Sequence, residues 1–317
     1  ETANAGSAGI SGAIYVHSGT TSIGQSGGIT IATGTASSGS AGSITMSVGF
    51  GNSGEAGYLS MNAGDTSDIQ GATGGFTKIR SGYSVQSSSG PMILGTPNAG
   101  TQGVSGQIMV GTGTASNGNS GALVVVTGDA SSGRGGDIRL RVGTGNSGDG
   151  GDVLMFAGET TRGDQAGGAF VIAAGEGSST DFPNGGSGGK LQLFGGAGQG
   201  LNPLENNGGN VEIAGGYGRS GQGGNIIMHT GYGWSSSSGS FDMSTANSGK
   251  TGVSGAIAIL TGTASAGNSG QMIVQSGDAK SGHGGHMFVQ VGTGNSGSGG
   301  NIKLSAVRHQ VLVVVGL

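Results

Sequence analysis

A short unit recurs nineteen times along this chain and limits it to architectures made by repeating one small element. The unit reads G-x-ψ-x-ψ-x-ψ-G-x-x-x-S-G-x-x, where ψ is mostly apolar. Its leading glycines are Gly12, Gly27, Gly42, Gly57, Gly75, Gly90, Gly106, Gly121, Gly136, Gly151, Gly168, Gly189, Gly209, Gly224, Gly239, Gly255, Gly270, Gly285 and Gly300. Most steps are fifteen or sixteen residues.

The apolar positions alternate. In the unit led by Gly136, Ile138, Leu140 and Val142 are interleaved with Asp137, Arg139 and Arg141. Ile44, Met46 and Val48 fill the same slots, as do Val153, Met155 and Ala157. Period two belongs to an extended arm with one apolar and one polar face, and it excludes a helix. Small residues such as Thr114-Ala115-Ser116-Asn117 fill the rest of the unit. They read as a second short strand or extended arm facing the first, with glycines at the corners supplying positive φ.

The expected fold class is therefore all-β: an elongated β-solenoid, parallel β-helix-like, of about 19 short coils of 15–21 residues. At the usual strand spacing such a stack would be roughly 90 Å long. The alternative is an antiparallel hairpin meander. Right-handed coiling is the default for parallel crossovers, and short coils leave the hand open.

Glycine contributes 78 of 317 residues and charged side chains only 9%, a composition otherwise typical of low complexity. Alternation of Ile, Val, Leu and Met argues against disorder, and the lack of a three-residue glycine period excludes collagen. Without cysteine there is no disulfide framework or thiolate metal site. A net charge of −4 disfavours a nucleic-acid groove, and no apolar run is long enough to span a membrane. The chain starts at Glu1 rather than Met, which leads us to expect a processed product or a piece of a longer protein.

One continuous domain, 1–317, is expected. Within it, blocks 9–65, 103–159 and 252–306 are near copies, at offsets of 94 and 149 residues. Extra residues fall after the apolar arm at 65–74, 159–167, 176–188 and 196–208, where a solenoid would carry edge loops. Segment 307–317 breaks the alternation with Val311-Leu312-Val313-Val314-Val315. It reads as a terminal strand that caps the last coil or pairs with another molecule.

Outward slots should be polar if each molecule stands alone. Thr30, Thr45, Lys78, Arg139 and Lys303 obey this. Val124, Val126, Leu154, Phe156, Val171, Phe194, Ile227, Ile273 and Phe288 do not. Together with Val311, Val313 and Val315 they are candidate assembly contacts, since gathered apolar patches mark contacts whereas single surface hydrophobes are ordinary. Tyr217 and Tyr232 occupy one slot in adjacent units, with Trp234 close by. They are either a sugar-binding platform or space-filling aromatics on a glycine-rich edge.

Other motifs are weak. His283 and His286 lack an evident third metal ligand, so exposed imidazoles are the expectation. Arg162-Gly163-Asp164 matches an adhesion tripeptide by only three residues. Gly150-Gly151-Asp152 is similar to calcium-binding nonapeptide repeats, but most corners hold Ser, Asn or Gly instead of Asp. No constellation of titratable groups suggests an active site, so neither an enzyme nor a cofactor is expected. No Asn-x-Ser/Thr sequon is present, which leaves O-glycosylation open.

Units such as Thr261-Gly262-Thr263-Ala264-Ser265 resemble the stacked Gly/Ser/Thr-rich repeats of secreted microbial or algal adhesins and filament subunits. The resemblance implies an extracellular or cell-surface structural protein. Such a protein would be a subunit of a filament, fibre or coat, partnered with itself, assembling through solenoid ends and apolar patches. A glycan-binding adhesin is the alternative. An ice-binding protein is the second, because small ice-binding solenoids are similar in coil length and display threonine arrays. Thr33-Gly34-Thr35, Thr112-Gly113-Thr114 and Thr261-Gly262-Thr263 have that pattern. Phe50, Asp65, Tyr83, Asp129 and Glu159 in equivalent slots would interrupt an ice plane.

Overall fold

The computed structural model describes residues 1–305 apart from Ala8, Pro203 and Ser298. Among the described residues there is neither helix nor strand. This overturns the expected all-β solenoid and the hairpin meander alike, and the stacked in-register rungs inferred from them. Both need ladders of backbone hydrogen bonds between successive arms. The chain is instead largely irregular, with a strict local plan repeated from unit to unit.

Exposure still alternates along the arms. Val153 and Met155 are 56% and 54% exposed, whereas Leu154 and Phe156 between and after them reach 72% and 85%. Phe170, Val171 and Ile172 repeat the pattern. Alternation of this kind is the mark of extended backbone. The inward side chains are only half covered, and no described hydrophobic residue is buried. Three apolar side chains in about fifteen residues offer little burial, and glycine, a quarter of the chain, loses the most backbone freedom on ordering. Accessible surface totals 32,274 Å². A folded monomer of this mass would expose about 12,000 Å² and a fully unfolded one about 44,000 Å².

The half of the unit expected to form a second arm is a loop that closes on itself. In every unit the end of one arm returns to the leading glycine of the next. Sharp bends at 22–24, 37–39, 52–54 and 116–118 make the return. The glycine three residues before the leading one provides left-handed backbone, as at Gly24 (φ 101°) and Gly118 (φ 121°).

Two kinds of closure occur. At Gly75, Gly90, Gly168, Gly189, Gly209, Gly224 and Gly239 the leading N–H donates to the carbonyl of the glycine that ends the preceding arm, at 2.8–3.0 Å. The residue just before that acceptor is Ala63, Ser81, Ala157, Ala174, Gly195, Gly215 or Thr230. All but Thr230 are small enough to let the two backbones meet. At the other twelve joints a side chain in the corresponding position lies over the leading glycine: a Thr, Ser or Val. Thr33, Thr96 and Thr127 donate their hydroxyls to the carbonyls of Gly42, Gly106 and Gly136 at 3.0–3.3 Å. Val48, Val142 and Val291 press so close that a methyl on Gly57, Gly151 or Gly300 would lie 2.9 Å from Cγ1.

By contact the chain divides into two units, Glu1–Val153 and Leu154–Leu317. Arm and closed loop alternate within each.

Candidate functional site

The outward apolar residues are where the alternation places them. Val124, Val126, Leu154, Phe156, Val171, Phe194, Ile227, Ile273 and Phe288 are all exposed, between 68% and 87%. Each projects from an arm whose inward face is itself half open, so apolar surface is available on both sides of the arm. The arms' own N–H and C=O groups make few backbone bonds, because the closing bonds fall at the joints. An extended segment with free backbone groups and alternating apolar side chains is able to pair with another extended segment. Val311, Val313 and Val315, with the rest of the expected terminal strand, lie outside the described residues.

Tyr217 and Tyr232 each open a backbone-closed loop. Gly224 N–H bonds the Gly216 carbonyl at 2.9 Å, and Gly239 N–H bonds that of Gly231 at 3.0 Å. The glycine after each tyrosine lies against the returning chain. A methyl on Gly218 would come within 2.6 Å of the Gln222 carbonyl oxygen, so only glycine fits. Both tyrosines and Trp234 stand out from these hairpin-like loops, 84–90% exposed. The aromatic ring contact among the described residues joins His286 and Phe288, with centroids 5.9 Å apart. Tyr217, Tyr232 and Trp234 do not stack on one another.

No described group of three or more His, Cys, Asp or Glu is placed to hold a metal ion, so His283 and His286 have no third ligand there. Arg162-Gly163-Asp164 lies in the loop closed by Gly168 N–H on Gly158, with Asp164 left-handed at φ 68°. Asp137 bridges Arg134, at 3.1 Å, and Arg139 on the surface of one arm. Such an exposed pair contributes little to stability. Of the threonines in the Thr-Gly-Thr pattern, Thr33 is turned onto the Gly42 carbonyl, and Thr112 and Thr261 lie over Gly121 and Gly270. Among the described residues no helix is long and apolar enough to cross a membrane.

Sequence reasoning missed an open cleft of about 330 Å³ between two arms, lined by Ile79, Arg80, Ser81, Tyr83, Ser89 and Met92. It arises where Gly90 N–H closes on the Gly82 carbonyl. It missed the two closure modes as well, although an Ala or Gly at the end of an arm marks the backbone mode and a Val the side-chain mode. No protein-family model, no curated protein and no solved structure matches the chain.

Proposed function

We propose that this is a structural protein, a subunit of an extracellular or cell-surface filament, fibre or coat, which covers its apolar arms by associating with further copies of itself. One observation carries the reading: most of the Ile, Val, Leu, Met and Phe side chains on the arms are half or more exposed, and none of those described is buried. Apolar surface on that scale drives association in water. Low charge favours the same outcome, since a net −4 spread over 317 residues opposes self-contact only weakly. Sedimentation velocity over a concentration series, with electron microscopy of the same samples, tests the proposal. Growth of large particles and filaments with concentration is expected. A monomer at every concentration overturns it.

A glycan-binding role is the second reading, favoured by the exposed Tyr217, Tyr232 and Trp234 on adjacent tight loops. Trp234 is the single tryptophan, so its fluorescence reports that place alone. Titration with oligosaccharides should shift the emission if the loops bind sugar. An unchanged spectrum removes this reading.

A further inference from the structure

The two kinds of joint are not scattered. The twelve joints closed by a side chain without the backbone bond fall in three runs of four, at Gly12, Gly27, Gly42 and Gly57, at Gly106, Gly121, Gly136 and Gly151, and at Gly255, Gly270, Gly285 and Gly300. All seven backbone closures lie between the runs. Within each run the step is a uniform fifteen residues, and between runs it varies from fifteen to twenty-one. The closing side chains are three hydroxyl residues followed by a valine in each run: Thr2, Ser18, Thr33 and Val48; Thr96, Thr112, Thr127 and Val142; Thr245, Thr261, Ser276 and Val291. The fourth loop has the same shape in each run, with Gly54, Gly148 and Gly297 at φ 76°, 71° and 81°. Among the described residues the three tracts thus share one local plan made three times, within 9–63, 103–157 and 252–305.

We infer that these tracts are three copies of one docking face, and that the occupant is the corresponding tract of a second copy of this chain, with the third tract of one molecule on the first or second of another. The inference rests on the self-assembly reading and specifies how it is carried out. Period is the first reason. A series of arms with a fifteen-residue step stays in register only with a partner of the same step, and the chain itself supplies one. Charge is the second. Tract 9–63 carries one carboxylate, Glu55, and no Lys or Arg, a net −1. Tract 103–157 sets Asp129, Asp137, Asp149 and Asp152 against Arg134, Arg139 and Arg141, again −1. Tract 252–306 sets Asp278 against Lys280 and Lys303, a net +1. Unlike tracts gain a weak attraction that like tracts lack, which favours a heterologous contact. A contact of that kind, where rotation does not close a ring, propagates as an open filament.

The test uses the full chain with Lys280→Glu and Lys303→Glu, and then the same variant with Glu55→Lys and Asp152→Lys added. The concentration needed for assembly should rise about tenfold in the first, for two reversed charges across each contact, and fall back in the second. Carbodiimide coupling of mixed isotope-labelled and unlabelled protein should join Lys280 or Lys303 of one copy to Glu55, Asp149 or Asp152 of another. If wild-type copies do not associate, the assembly reading fails and this pairing with it. If they associate with no effect of charge reversal, or couple only through other segments, the pairing fails and the assembly reading stands.

Discussion

The residue before the glycine that ends an arm bears on how the loop closes, although Ser81 and Thr230 leave the backbone bond in place. With Ala157 before Gly158, the Gly168 N–H reaches the Gly158 carbonyl; with Thr33 before Gly34, the hydroxyl takes the Gly42 carbonyl instead. Thr33→Ala should convert one mode into the other, placing the Gly42 N–H on the Gly34 carbonyl. Its amide exchange would slow about twofold to tenfold, the range of one modest hydrogen bond. Ala157→Thr should act in reverse at Gly168, and unchanged exchange in both variants would refute the closure rule. Gly148→Ala puts a Cβ on left-handed backbone at φ 71° and should cost about 1–2 kcal/mol locally. Amide exchange confined to 142–151 would report it, while Gly113→Ala, with open space around it, should be silent. The repeated glycines were legible at this scale, but what the neighbouring Thr, Ala or Val does to them was not. That depends on which atoms the loop brings back.

Among the elements, the longer loops were readable as insertions, whereas their internal supports were not. The loop between Gly196 and Gly209 is held by Asn202 and Asn206. Asn202 Oδ1 accepts from Leu204 N–H at 3.1 Å, and its amide nitrogen donates to Glu205 at 3.0 Å. Asn202 N–H in turn donates to Asn206 Oδ1, and Asn206 N–H to the Asn202 carbonyl, both at 3.0 Å. Side chains of this kind mimic a backbone turn. Asn202→Ala should make the loop a preferred site of limited proteolysis, cut several-fold faster than in wild type, with 216–224 unaffected. Equal cutting of both loops would mean that Asn202 is not the support.

At the scale of the whole molecule, the exposed apolar arms decide the thermodynamics. A dilute, unassembled chain has no described core to lose, so calorimetry should record no sharp melting transition and a small heat-capacity change. A cooperative peak should appear only as assembly buries the arms, and its temperature should rise with concentration. A sharp, concentration-independent peak in dilute protein would contradict this. By itself the sequence determined the nineteen units, the extended arms with their two-residue alternation and the glycine-rich joints, since these follow from local sterics and side-chain order. Only the tertiary structure decided that successive arms do not ladder. Pairing depends on where each joint sends the chain and on whether three side chains per unit repay its ordering, and neither is a local property. Loops that close on themselves leave the arms without a partner inside the described chain, and the apolar pattern that suggested a dry interior is left half open to solvent.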